Sequence, residues 1–93
     1  MIIHLNKFGR ILSSRPAGAD AFNAIRGRLD ENDKHIEIDF DGILSLAPSW
    51  ADEFFTLLRE WSGKDLVFRP SLNASVIATL RVLKEMAESQ EKK

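Results

Sequence analysis

The stretch IEIDFDGILSLAPSWADEFF, residues 36–55, decides the fold. Residues 36–40 alternate apolar and acidic side chains, and this period of two predicts a strand with one buried face. Asp41-Gly42 ends the strand, and the short apolar connection ILSL leads to a segment whose apolar residues recur at helical spacing. The stretch therefore predicts a strand, a loop and a helix, with Ser49 at the start of the helix.

The rest of the chain repeats this order. MIIHL predicts an edge strand, and RILS, residues 10–13, is either a second short strand or the entry to a helix. A helix is expected from Ser14 or Pro16 to about Asp30, because a serine before a first-turn proline is typical of a helix start. DLVFRP predicts the last strand, and the last helix begins near Ser71. Alternating strands and helices predict an α/β domain with right-handed parallel crossovers.

The apolar residues of these elements fit a single core. Trp50 and Trp61 are both expected in or at the edge of that core, with Trp50 the more exposed because it lies in the first helical turn. Residues 1–86 are predicted to form one domain and residues 87–93 a charged, frayed tail. Leu72, Val76, Leu80 and Leu83 are expected on the inner face of the last helix. The predicted core contains Ile36, Ile38, Phe40, Phe54, Leu58, Phe68, Val76 and Leu80.

Composition excludes several classes of function. The net charge is -1, from 13 basic and 14 acidic residues, so the chain lacks the positive charge typical of nucleic-acid binding. It contains no cysteine, which excludes disulfides and thiolate chemistry. The N-terminus has no charged leader and no apolar run is long enough to span a bilayer, so a cytoplasmic protein without membrane association is expected. We expect no cofactor, and a monomer or weak homo-oligomer.

Ser49 has two interpretations. It is the N-cap of its helix, accepting the N–H of Asp52 in a capping box, or it is an accessible hydroxyl where the helix N-terminus would hold a phosphate. A nucleophilic serine needs a base. Only His4 and His35 could supply one, and no G-x-S-x-G elbow is present, so an enzyme is not expected.

Four carboxylates near Ser49 raise the question of a magnesium site. Asp39 and Asp41 share one face of their strand, and Asp52 and Glu53 lie in the following helix. There is no glycine-rich phosphate loop to accompany them. Solvated or capping carboxylates are therefore favoured, and no metal site is predicted.

A second candidate site lies in FGRILSSRPAG. Arg10 and Arg15 flank serines at a helix start, and with Ser14 they could hold an anion. The alternative is a capped helix with two surface arginines.

The segment IEIDFDGILSLAPSWADEFFTLL resembles the central part of STAS domains, the fold of anti-sigma factor antagonists. It is most similar to a STAS-like group of bacterial proteins of unassigned function. The resemblance spans roughly residues 8–83. The matching residues are Phe8, Gly9 and Arg15, then Asp39, Phe40 and Gly42, then Ser49, Trp50, Ala51, Asp52 and Glu53.

The resemblance implies a mixed β-sheet of four or five strands with helices packed mainly on one face. It also implies a non-catalytic regulatory module that exchanges partners with a histidine-kinase-like ATPase or an anti-sigma factor, with Ser49 as phosphoacceptor. The antagonist motif Asp-Ser-Ser-Gly is replaced here by Ala-Pro-Ser-Trp. The alternative function is a small nucleotide- or anion-binding protein that uses the helix start at Ser49 and the nearby carboxylates. Partner-binding residues would be Ala47, Pro48, Ser49, Trp50, Asp52 and Glu53.

Overall fold

The computed structural model describes residues 1–30 and 32–91, and for Gln90 and Glu91 the backbone alone. Each helix in these residues follows one or two strands, which confirms the α/β class. Short 3₁₀ turns follow the first strand at Leu5–Phe8 and the first helix at Arg26–Arg28. The elements in chain order are β1 (Ile2–His4), β2 (Ile11–Leu12), α1 (Arg15–Ile25), β3 (His35–Asp39), β4 (Ser45–Leu46), α2 (Pro48–Ser62), β5 (Asp65–Phe68) and α3 (Ala74–Glu91).

The described strands form two parallel sheets. One has the order β1-β3-β5, with Ile3 opposite Ile38 and Ile38 opposite Phe68. The other pairs β2 with β4, so residues 10–13 do contain a strand and the ILSL connection contains another. The expected mixed sheet is wrong for these residues, because each paired strand is reached through a helical crossover and therefore runs parallel to its neighbour.

The helices cover one face of the three-stranded sheet, as expected. Ile36 and Ile38 of β3 are fully buried on that face, and Ile3 of β1 is buried beside them. On the opposite face Ile2 and Val67 remain exposed. The predicted core is confirmed in Ile36, Ile38, Phe40, Phe54, Leu58 and Val76, while Phe68 and Leu80 are partly buried against it.

Side-chain caps mark the starts of α1 and α3. Ser14 caps α1, its Oγ accepting the N–H of Ala17 at 3.2 Å, which confirms the capped start. This helix ends at Ile25, earlier than the expected Asp30, and continues as a 3₁₀ turn. The helix α3 begins at Ala74 because Asn73 caps it, its Oδ1 accepting the Val76 N–H at 3.1 Å.

Two further expectations about burial are corrected. Leu72 precedes α3 and is 101% exposed, so it does not belong to the inner face. Residues 87–91 lie within α3, and the frayed tail stays a prediction. Residues 92 and 93 of the expected tail lie outside the described residues. The tryptophans exchange roles: Trp50 is 1% exposed and Trp61 is 58% exposed.

Trp50 is buried because it stacks on the next turn of its own helix. Its ring lies 4.8 Å from that of Phe54 at an interplanar angle of 21°, and Phe8 closes over both rings. Trp61 lies beyond the end of α1, and the edge of Phe22 and the guanidinium of Arg26 lie beside its ring. Helical spacing placed both residues on the same stripe, but α1 is too short to cover the second.

The helices α1 and α2 cross closely at Gly18. A Cβ built on Gly18 would lie 2.6 Å from the carbonyl oxygen of Trp50 and 3.3 Å from Cβ of Glu53. No rotamer change can relieve a clash with a backbone oxygen. Gly18 therefore fixes the distance between the two helices.

Gly18→Ala should destabilise the fold by about 1–3 kcal/mol, because overpacking outweighs the ~1 kcal/mol gain in helix propensity. Chemical denaturation of both variants measures this. Gly27→Ala is the matched control: nothing lies within 4 Å of its Cβ position, so it should be neutral or slightly stabilising. Equal stability of the Gly18 variant and the wild type would contradict the close crossing.

Candidate functional site

The helix α2 begins one residue before Ser49. Pro48 occupies its first position, Ala47 is the N-cap without a side-chain hydrogen bond, and Ser49 is the second helical residue. The hydroxyl of Ser49 donates to the carbonyl of Ser13 at 3.0 Å, across to the end of β2. The N-cap prediction for Ser49 is therefore wrong. Proline at the first helical position is favoured, and Pro48 was the signal in the sequence that indicated the true start.

The carboxylates in the first turns of α2 bind an arginine instead of forming a capping box. Arg15 Nη1 lies 2.9 Å from Asp52 Oδ2 and 3.1 Å from Glu53 Oε2, which links the start of α1 to α2. The hydrogen bond to Asp52, followed by that to Glu53, raises the pKa of Arg15. The predicted capping interaction between Ser49 and Asp52 is wrong, because Ser49 already lies within the helix and its hydroxyl bonds to the Ser13 carbonyl.

The three residues of the predicted anion site have protein partners. Arg10 donates from Nε to the Gly42 carbonyl at 3.2 Å, and Arg15 is held by its two carboxylates. The hydroxyl of Ser14 accepts the Ala17 N–H as the N-cap of α1. Anion binding by these residues stays a prediction, since an anion would compete with all three contacts.

Residues 43–47 form hydrogen bonds to the β2 segment on one side and to the start of α3 on the other. Their N–H groups reach β2 on one side: Leu44 and Ser45 both donate to the Arg10 carbonyl, at 2.8 and 3.2 Å, and Ala47 donates to Leu12 at 2.8 Å. β4 is only two residues long, so these bonds extend a very short ladder.

On the other side, residues 43–46 are held by side chains of Asn73, which caps α3, and of the first turns of α3. Asn73 Nδ2 donates to the carbonyls of Ile43 and Leu44, at 2.9 and 3.2 Å. Ser75 Oγ accepts the Leu46 N–H at 2.9 Å, and Thr79 donates to the Leu46 carbonyl. The side chains of Asn73, Ser75 and Thr79 thus take the place of a neighbouring strand.

Sequence reasoning missed the α3 contribution. Asn73 is a preferred N-cap residue three positions before Val76, and this local signal was available in the sequence. The bonds from Asn73, Ser75 and Thr79 to residues 43–46 span about thirty residues of sequence, and no local pattern indicates them.

Apolar side chains are exposed on three segments that hydrogen bonds join before the start of α2. Ile11 is 67% exposed and Leu44 is 57% exposed, and Leu72 is fully exposed. Their segments are joined by the bonds from Leu44 to Arg10 and from Asn73 to Leu44. We call Ile11, Leu44, Pro48 and Leu72, together with Ser49, the α2-start face. Of the partner-binding residues predicted from sequence, Trp50 is buried and cannot belong to it.

The histidines lie elsewhere. His4 Nδ1 is 2.7 Å from Asp39 Oδ2, joining the carboxyl ends of β1 and β3, and His35 at the start of β3 is exposed. Asp39 is buried, and the hydrogen bond from His4 lowers its pKa. Its other oxygen accepts the Asp41 N–H at 3.3 Å. Asp39 is therefore a structural partner of His4 and not a solvated carboxylate.

Two absences hold for the residues that the structure describes. Across 1–30 and 32–91, no cluster of three or more histidine and carboxylate side chains could hold a metal ion. Within the same ranges, no helix combines the length and the apolar character needed to cross a membrane.

Comparison with known proteins identifies a family. The model of the STAS-like domain of unknown function (DUF4325) matches residues 19–68, just over half of the chain. The matched part runs from α1 to the end of β5. No curated protein and no solved structure gives a significant match. The resemblance inferred from the residues around Ser49 is thereby confirmed.

The pairing of His4 with Asp39 should make the free energy of unfolding depend on pH in the acidic range. A carboxyl group whose pKa is lowered in the folded state stabilises the fold above its ordinary pKa of 3.8, and this contribution is lost as the pH falls through the lowered value. Asp39→Asn, which cannot ionise, should therefore show a shallower loss of unfolding free energy between about pH 5 and pH 2. Urea denaturation across this range measures both curves, and parallel curves would contradict the assignment.

Proposed function

The chain belongs to the STAS-like domain family, and from this premise we propose that it is a non-catalytic protein-interaction module that docks a regulatory partner on the α2-start face. One observation carries the proposal: apolar side chains are exposed on three segments that hydrogen bonds hold together beside α2. Exposed apolar side chains that are grouped in this way are typical of interaction sites, whereas scattered ones need no explanation.

The α2-start face is rigid, which favours binding. Leu44 is held at its N–H by Arg10 and at its carbonyl by Asn73. Ser49 is held by the Ser13 carbonyl. A partner would therefore order little of this backbone when it binds, and the entropic cost of association is reduced.

Among the residues that the structure describes, no base is hydrogen-bonded to the Ser49 hydroxyl, and this supports a non-catalytic role. Serine nucleophiles are activated by an adjacent base. The hydroxyl of Ser49 donates to a backbone carbonyl, and His4 is engaged with Asp39.

The partner is proposed to be a histidine-kinase-like ATPase or an anti-sigma factor, as the resemblance to anti-sigma factor antagonists implies. Ser49 would then be the phosphoacceptor. As the second residue of α2 it lies at the positive end of the helix dipole, which favours a phosphate. The nearest acidic side chains, Asp52 and Glu53, are already paired with Arg15, which offsets their repulsion of a phosphate.

Photocrosslinking in cells tests the docking surface. A benzophenone amino acid in place of Leu44 or Leu72 should crosslink one discrete partner, because both positions are exposed within the α2-start face. The same residue at Val82, an exposed position on α3, is the matched control and should not capture that partner. Equal crosslinking at all three positions would contradict the proposal. Absence of any crosslink would also contradict it if nucleotides with Mg²⁺ stabilised the protein in a thermal unfolding assay. A ligand at 100 times its dissociation constant stabilises a protein by about 2.7 kcal/mol.

Substitutions at Ser49 test the switch with the partner so identified. Ser49→Ala should cost about 0.5–1.5 kcal/mol through the lost bond to Ser13 and should bind the partner constitutively. Ser49→Asp should fold, since acidic residues are tolerated at a helix start, and should weaken binding about tenfold or more.

Ser14→Asp is the control for the Ser49 variants. It adds the same charge at the start of α1, where aspartate caps as well as serine does. Calorimetric titration against the partner measures all three variants. Equal affinity of the two Ser49 variants would remove the phosphoswitch and leave the docking surface standing.

A further inference from the structure

A groove separates the second half of α3 from the rest of the molecule. It has a volume of about 410 Å³ and lies between α2, β5 and α3. Its apolar walls are Phe68, Leu80, Leu83 and Ala87, with Arg59 and Lys84 also lining it. This volume is within the ~300–1,000 Å³ range of small-molecule sites.

The groove exists because α3 is attached at one end. Asn73, Ser75 and Thr79 fasten its start to residues 43–46, and Val76 is fully buried there. Two turns later Leu83 is only partly buried, although it contacts the core. Apolar surface on both walls of the groove therefore remains partly exposed. A ligand that covered this surface would gain free energy from its burial.

The two cations of the groove come from opposite walls. Arg59 belongs to α2, with its guanidinium carbon 6.0 Å from the centroid of the Phe68 ring, and Lys84 belongs to α3. None of the ion pairs formed within the described residues involves either of them. Two cations beside an apolar trough match a ligand that has one anionic end and one apolar end.

We infer that this groove binds a free single-chain carboxylate amphiphile, such as a medium-chain fatty acid. The carboxylate lies between Arg59 and Lys84, and the chain lies along Leu80 and Leu83 against Phe68. This site is separate from the α2-start face and adds a small-molecule ligand to a protein-interaction module. The continuation of the groove contains Asp52, so the anionic end is oriented toward the cations and away from that carboxylate.

The test uses the full chain and decanoate below its micelle concentration. Titration followed by two-dimensional NMR should show saturable one-to-one binding, with shift changes concentrated at Phe68, Leu80 and Leu83. Decyltrimethylammonium, which has the same chain and a positive head, should bind at least about tenfold more weakly, and acetate should not bind. Vesicles that contain anionic lipid, added without decanoate, should not shift the resonances of Phe68, Leu80 and Leu83, because the proposed ligand is a free amphiphile.

Matched variants distinguish binding in the groove from nonspecific electrostatic attraction to the protein surface. The double variant R59Q/K84Q should lose affinity for decanoate about tenfold or more. R28Q/R81Q removes the same charge from exposed positions outside the groove and should bind as the wild type does. A87W places a large side chain in the groove from an exposed helical position and should abolish binding with the thermal unfolding midpoint retained.

Three results would overturn the inference. One is equal binding of decanoate and the cationic amphiphile. Another is an equal loss of affinity in both charge variants. The third is non-saturable shift changes spread over the exposed face of the sheet, where Ile2 and Val67 also present apolar surface.

Discussion

The rest of the structure depends on the hydrogen bonds of the backbone of residues 43–47. The strand β4 in this segment is only two residues long, so most of these backbone groups need partners outside a regular sheet. Buried N–H and C=O groups without partners would each cost about 1–3 kcal/mol. On one side Arg10 and Leu12 accept from this segment, and on the other Asn73, Ser75 and Thr79 replace a missing strand. The same bonds place the start of α2, fasten α3 and bring the exposed residues of the α2-start face together.

Part of this arrangement lies outside the family match. The match covers residues 19–68, which include residues 19–25 of α1 and all of β3, β4, α2 and β5. The side chains that complete the hydrogen bonding of β4 lie in α3, and Ile11 lies in β2, both outside that match. The α2-start face and the groove are therefore built partly from elements that the family match does not cover. Along α2, Ser49 and Arg59 are ten residues or about 15 Å apart, so a variant at one surface leaves the other intact.

Electrostatics in this molecule fixes positions more than it adds stability. Arg15 joins the start of α1 to Asp52 and Glu53 at partly exposed positions, where such pairs contribute little. Their geometric effect is larger, because they hold the two helices beside the crossing at Gly18, where the Trp50 carbonyl leaves no space for a side chain. His4 and Asp39 have a similar role on the other sheet face, joining neighbouring strands at their carboxyl ends.

The sequence by itself determined the element order, the α/β class, the buried positions of β3 and the family, because these follow from local periodicity, caps and short motifs. Pro48 and Asn73 also carried local signals for their helix starts, and these were overlooked. Only the tertiary structure decided that Trp50 is buried and Trp61 exposed, since their burial depends on where α1 ends and on Phe8. It also decided that Ser49 bonds to Ser13 and that α3 completes β4. These contacts join residues about thirty or more positions apart, and a period read within one segment contains no information about which distant segment will lie against it.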